Sequence, residues 1–139
     1  MRILFVGGGM GGTIAANNVA RRLSKEIRQG SVKITMLSAS DQHWYQPGLL
    51  YVAFGKMALN DICRDQSSLL EPGIKFFVDP VEEFEMNSNR VRTKAGVVHD
   101  YDMLVIATGC ETAYDEVPGL KESSETPYTR DGAVSMFKK

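Results

Sequence analysis

An α/β fold, with a parallel sheet and a small antiparallel β-meander, is predicted by three observations. A β-branched and aromatic run, Ile3 to Val6, ends in glycines spaced G-x-G-x-x-G at Gly7, Gly9 and Gly12. Apolar residues at three- and four-residue steps follow at once. Two further apolar runs read as strands, Val32 to Leu37 and, as another buried one, Met103 to Ala107.

The first strand and its glycines suit a phosphate. Gly7 can make the tight turn, Gly9 can admit the phosphates, and Gly12 can let a helix pack close to the strand. The helix N-terminus adds N–H groups without partners and about half a positive charge. Ala16, Val19, Ala20, Leu23 and Ile27 form one apolar helix face, Arg21, Arg22, Lys25 and Arg28 lie mostly off it, and Gly30 can end it. Val32 to Leu37 completes a β-α-β unit of about 30 residues. This Rossmann-like unit points to dinucleotide binding, against a nucleotide-free α/β core.

The second strand departs from the simple fingerprint, which ends it in a carboxylate that holds the ribose. Here it ends Ser38-Ala39-Ser40, with Asp41 three residues beyond Ser38. Ser38 can hydrogen-bond a ribose hydroxyl, or serve as an ordinary polar strand end. No arginine follows at once to meet a 2′-phosphate, so NADP is not suggested.

Residues 41 to 58 read as a loop rich in His43, Trp44, Tyr45, Tyr51 and Phe54, too apolar for a bare surface. It packs as core or lines a site for a flat ring. Asn60 or Asp61 is expected to cap a short helix reaching Leu70 and carrying Cys63, with Pro72-Gly73 ending it. Ile74 to Val78 reads as a third parallel strand. Residues 82 to 99 read as the meander, with turns at 87–89 and 94–96 and His99 on its surface. Met103 to Ala107 should return beside the first strand, so that Thr108 and Gly109 face the same crevice as the glycines. An ordinary strand-ending turn accounts for Thr108-Gly109 equally well.

The 139 residues suffice for one domain with a real core. Hydrophobic content of 43% and charged content of 24% are those of a globular protein. A net charge of −1 indicates no nucleic-acid partner. Cys63 and Cys110 are far apart and suggest neither a disulfide framework nor a metal site. The N-terminus reads as a buried strand rather than a signal peptide, and no apolar run approaches the roughly 20 residues of a membrane span. The expected location is cytoplasmic or peripheral to a membrane.

Val6 to Gly12 and the run Tyr-Asp-Met-Leu-Val-Ile-Ala-Thr-Gly at 101–109 resemble the FAD-binding part of two-dinucleotide-binding flavoproteins. Residues 37–55, with Gln46-Pro47-Gly48 at their centre, are similar to sulfide:quinone oxidoreductases, whose relatives include type II NADH dehydrogenases. Ala113 to Leu120 also looks like the segment that follows Ala-Thr-Gly in that group. The resemblance implies FAD as cofactor, and transfer of electrons from sulfide through FAD to quinone in the intact enzyme. By position, Gly7, Gly9, Met10, Gly11 and Gly12 would hold the pyrophosphate, and Ser38 and Ala39 would sit at the adenosine ribose. Val81 would meet adenine through its backbone. Ala107, Thr108 and Gly109 would flank the cofactor, and Gln46 and Pro47 would lie toward the isoalloxazine. A type II NADH:quinone dehydrogenase and a non-catalytic nucleotide-binding module are the rival readings.

Two departures qualify the resemblance. Tyr128 stands where these enzymes commonly carry a redox cysteine, while Cys110 follows Ala-Thr-Gly at a different place. His43 reads as a loop-packing or cofactor-side residue rather than a general base. The chain is also far shorter than the intact enzymes. Residues 1–112 are therefore expected to form the FAD-binding domain, and 113–139 a connection toward a missing second nucleotide-binding domain. Peripheral membrane association would come through the missing part. The fragment alone is expected to be inactive and to self-associate through apolar surface, including parts of 44–54.

Overall fold

The computed structural model describes residues 1–138 (of Asp115, the backbone alone). Lys139, the end of the 113–139 segment, lies outside the described residues. Two compact units are present. The first takes Met1–His43 and Arg64–Gly109; the second takes Trp44–Cys63 and the chain from Cys110 on.

The first unit is built on a four-stranded parallel sheet. β1 (Arg2–Val6) is followed by the helices α1 (Met10–Arg22) and α2 (Ser24–Arg28), then β2 (Lys33–Ser38). β3 (Gln42–Trp44) and β4 (Cys63–Asp65) make a two-stranded ribbon, along which the chain passes from one unit to the other and back. β5 (Ile74–Val78) precedes an antiparallel meander of β6 (Val81–Glu85), β7 (Arg90–Thr93) and β8 (Val98–Asp100), and β9 (Met103–Ile106) closes the unit. The sheet order is β5-β2-β1-β9. β1 pairs with β2 through Ile3↔Ile34 to Val6↔Leu37, and with β9 through Ile3↔Met103 to Val6↔Ile106. The last strand therefore does return beside the first.

The apolar run of β1 is continuous because both of its faces are covered. Ile3 and Phe5 pack with Ala16 and Ala20 of α1 and with Val32, Ile34 and Met36. Leu4 and Val6, pointing the other way, pack with Leu37, Val91 and Tyr101. The meander is thus the sheet's second covering layer. Burying a side chain such as Phe5 contributes about 2–3 kcal/mol.

Three local expectations are corrected. The helical stripe ending at Ile27 is broken at Leu23 (φ −102°, ψ 22°) into α1 and α2. Leu23 and Ile27 still reach the same core, and Ile27 packs so closely on Gly73 that a Cβ there would lie 2.7 Å from its Cγ2. The 60–70 helix is instead a 3-10 turn at 59–62, then β4, then a second turn at 67–69. Asp61 does cap, but the group it caps is the Ala58 N–H, at 2.9 Å. Asp65 then captures the Ser67 hydroxyl (2.5 Å) and the Ser68 N–H (3.2 Å), local bonds that compete with a helix. Cys63 accordingly begins a strand. The expected loop at 41–58 contains both β3 and a helix, α3 (Gly48–Ala53).

The second unit packs α3 against α5 (Arg130–Phe137), with the short α4 (Leu120–Ser123) between them in sequence. Leu49, Val52 and Ala53, spaced as one helix face, bury with Ile62 and Ala133. Leu50, Tyr51 and Phe54, on the remaining face, stay exposed. The Thr129 hydroxyl caps α5 by accepting the Gly132 N–H at 3.1 Å. Arg130 lies over the Trp44 ring, 4.9 Å from its centre.

Candidate functional site

The glycine turn lies at the carboxyl end of β1, between the ends of β2 and β9. The Gly7 N–H donates to the Leu37 carbonyl at 2.8 Å, and the Ala107 N–H donates to the Val6 carbonyl at 2.8 Å. Gly7 has φ +108°, and a Cβ there would sit 2.2 Å from the Ala107 carbonyl oxygen. A Cβ on Gly12 would sit 2.0 Å from the Gly7 carbonyl oxygen. Both positions exclude any side chain, because the chain leaving β9 lies against Gly7 and α1 is pressed onto the turn at Gly12. Gly9 and Gly11 differ, since a Cβ on either would meet nothing within 4 Å.

That open face carries the start of α1. Gly9 is its N-cap, with no side-chain cap and no acidic residue in the first turn. The first intrahelical bond is Thr13 N–H to Gly9 C=O, at 2.9 Å. The N–H groups of Met10, Gly11 and Gly12 precede it and are left for an outside acceptor. Three N–H groups, a helix dipole and no intervening side chain suit an anionic oxygen.

Ser38 ends β2 beside this turn; a Cβ on Gly8 would lie 2.8 Å from its Oγ. The Ser38 Oγ accepts the Ser40 N–H at 3.3 Å, which leaves its own hydroxyl hydrogen to donate elsewhere. Ala39 is exposed just beyond. Val81 opens β6 and packs on the core under the meander. Thr108 and Gly109 are exposed past the end of β9. The structure thus gathers Gly7 to Gly12, Ser38, Ala107 and their neighbours in the first unit. Gln46 and Pro47 belong to the second unit, where Gln46 Nε2 donates to the Tyr128 carbonyl at 3.4 Å.

Three residues that the motifs did not single out support the turn. Gln66, fully buried, donates from Nε2 to Thr13 Oγ1 at 2.8 Å. The Thr13 hydroxyl in turn donates to the Gly8 carbonyl at 3.2 Å. His43 Nδ1 lies 3.1 Å from the Gly8 carbonyl oxygen and 2.9 Å from Gln66 Oε1. The sequence did carry a signal, which is that Thr13, Asn17 and Arg21 recur every four residues along α1. Asn17 grips the Leu69 carbonyl (2.7 Å) and the Glu71 N–H (2.9 Å), and Arg21 pairs with Glu71 (2.7 Å). This polar stripe holds the 66–71 segment, next to the apolar one. Asp65 helps fix the same segment. Its carboxyl is held below the usual range, first by the Ser67 hydroxyl and then by the Ser68 N–H.

Cys110 lies in the second unit with its sulfur 2.9 Å from the Tyr128 hydroxyl oxygen, so the thiol reaches the tyrosine at the expected cysteine position. Cys110 is exposed, Cys63 is half-buried, and no disulfide joins them. His99 is half-buried on β8, its ring 5.7 Å from that of Phe77. Among the described residues no group of three or more His, Cys, Asp or Glu could hold a metal ion. No helix among them is long and apolar enough to cross a membrane.

Comparison with known proteins agrees with this geometry. A mitochondrial sulfide:quinone oxidoreductase of Dictyostelium discoideum is 35% identical over 122 residues, covering 88% of this chain and 26% of that protein. A type II NADH:quinone oxidoreductase of Mycobacterium tuberculosis is 26% identical over 148 residues, covering 98% of this chain and 30% of that protein. The X-ray structure of the sulfide:quinone oxidoreductase from Aquifex aeolicus matches with a TM-score of 0.84 at 26% identity, over 99% of this chain and 30% of that one. The chain spans less than a third of these proteins, between 26% and 30% of their length. The family model for pyridine nucleotide-disulphide oxidoreductases matches residues 1–135. The glycine turn, the parallel sheet that carries it and this match together place the chain in the pyridine nucleotide-disulphide oxidoreductase family.

Proposed function

We propose that this chain is the FAD-binding portion of a sulfide:quinone oxidoreductase-like flavoprotein. The observation that carries the reading is the pairing of two kinds of glycine. Gly7 and Gly12 are packed against backbone, while Gly9 and Gly11 border open space at a helix start without a side-chain cap. The pyrophosphate would rest on the N–H groups of Met10 to Gly12. The Ser38 hydroxyl would donate to the adenosine ribose beside Ala39, and the Val81 backbone would meet adenine. Ala107, Thr108 and Gly109 would flank the cofactor from β9, and Gln46 and Pro47 would lie toward its flavin end. Residues 1–112 would form the cofactor domain and 113–139 would lead toward a further nucleotide-binding domain.

Bound FAD would supply the two-electron chemistry, and the protein would position it and shape its surroundings. In the intact protein the electrons would pass from sulfide to a quinone at a membrane surface. A second reading, oxidation of NADH, is favoured by the match to the type II NADH:quinone oxidoreductase. Reconstitution with FAD tests the cofactor: a yellow, flavin-loaded protein is expected, and failure to take up added FAD overturns the assignment. Anaerobic titration of the full-length gene product separates the donors. Bleaching of the flavin by sulfide supports the first reading; bleaching by NADH and not by sulfide supports the second.

A further inference from the structure

We propose that His43, Gln66 and Thr13 form a closed hydrogen-bond ring around the Gly8 carbonyl, with His43 in its Nδ1–H form. In this ring His43 and Gln66 are positioning residues that set the glycine turn for its dinucleotide, a role that rests on the FAD reading above.

The assignment follows from donors and acceptors. His43 Nδ1 faces two oxygens, Gly8 C=O at 3.1 Å and Gln66 Oε1 at 2.9 Å. A nitrogen between two acceptors must carry the hydrogen. Gln66 Nε2 donates to Thr13 Oγ1 at 2.8 Å, and the Thr13 hydroxyl then donates to Gly8 C=O at 3.2 Å. The single Nδ1 hydrogen is shared between Gln66 Oε1 and the Gly8 oxygen, so the Gly8 carbonyl receives the Thr13 hydroxyl and a share of the His43 N–H. Turning the Gln66 amide over breaks the ring. Its N–H would then require Nδ1 as acceptor, setting that lone pair against the Gly8 oxygen 3.1 Å away. Thr13 would turn its hydrogen to Gln66, and Gly8 C=O would lose both donors. Thr13 and Gln66 are buried, and no buried side-chain polar atom among the described residues lacks a partner. An unpartnered group here would be costly.

The ring is also anchored from outside. The Gln66 N–H donates to the Asp41 carbonyl at 2.7 Å, two residues before His43, so His43 enters from β3 and Gln66 from just past the end of β4, its partner in the ribbon. Gly8 is pressed onto Gln66, where a Cβ would lie 3.3 Å from the amide carbon. With the Gly8 carbonyl turned inward, the following N–H groups keep their outward face before any ligand arrives.

The test has two independent readouts. Long-range 1H–15N spectra of the labelled protein without ligand, at about pH 8.5 where imidazoles are neutral, should show His43 protonated at Nδ1. An Nε2–H tautomer overturns the ring. FAD affinity is then compared across variants. His43→Asn places an amide N–H near the Nδ1 position and should bind within about threefold of wild type, whereas His43→Gln and Gln66→Met should weaken binding about tenfold. Equal weakening by His43→Asn and His43→Gln overturns the positioning role. A wild-type protein that takes up no FAD overturns the FAD reading and with it the role in binding, while the tautomer still decides the ring.

Discussion

A methyl group at Gly7 would strike the Ala107 carbonyl oxygen at 2.2 Å, yet at Gly9 it would meet nothing within 4 Å. The two alanine variants should therefore fail differently. Gly7→Ala is expected to lose about 1–3 kcal/mol or more of stability, measured by urea unfolding. Gly9→Ala, at an extended backbone position (φ −70°, ψ −175°), should stay within about 1 kcal/mol of wild type. On the FAD reading it should nevertheless lose FAD affinity, because its methyl would occupy the open face proposed for the pyrophosphate. The exposed Cys110 should react with a thiol reagent well ahead of the half-buried Cys63, as mass mapping of the labelled peptides would show. The motif glycines were legible in the sequence because their spacing reflects local backbone geometry. His43 was read as a loop-packing or cofactor-side residue, but its link to Gln66, 23 residues on, and the link of Gln66 to Thr13, 53 residues back, were not legible. The chain spacing of such partners carries no period.

Among the elements, the strands were the most legible, because each is a short apolar run; β1 and β2 at the centre of the sheet are buried, whereas β5 and β9 at its edges, the latter expected to be buried, stay half-buried or exposed. The 60–70 stretch was not, because the Asp65 side chain redirects a chain that otherwise has the marks of a capped helix. The starts of β1 and β9 are tied by one pair of residues. The Asp102 carboxylate accepts the Arg2 N–H at 2.6 Å and an Arg2 guanidinium hydrogen at 3.0 Å. The guanidinium bond, then the backbone bond, hold the Asp102 carboxyl below its ordinary range. A carboxyl lowered in the folded state adds stability above its unfolded value, and that stability is lost as pH falls through the folded one. Asp102→Asn should therefore flatten part of the fall in melting temperature below about pH 4. Circular dichroism melts from neutral to acid pH measure it. An unchanged acid limb would show that the exposed pair contributes nothing.

Taken whole, the molecule has two units that answer to different mutations. Leu49→Ala should cost the second unit about 2–5 kcal/mol. Hydrogen exchange should then rise in residues 44–63 and 110–138, while β1 and β2 stay protected. Leu50, Tyr51 and Phe54 leave apolar surface on the second unit, and Phe77, Val78, Met103 and Ile106 leave it on the first. Self-association is expected from so much exposed apolar area. Light scattering that finds a strict monomer at all concentrations would contradict it. The pairing of Ile3 with Met103 and the seat of Gly7 on Ala107 also set a timetable. At a synthesis rate of about 5–20 residues per second, Ala107 is made about 5–20 s after Gly7. Even after β2 and α1 are made, the nascent chain carries its glycine turn without the β9 wall until the end of that interval. The earliest-made part of the site is among the last to be completed, so whatever fills it must arrive after the ribosome has passed β9.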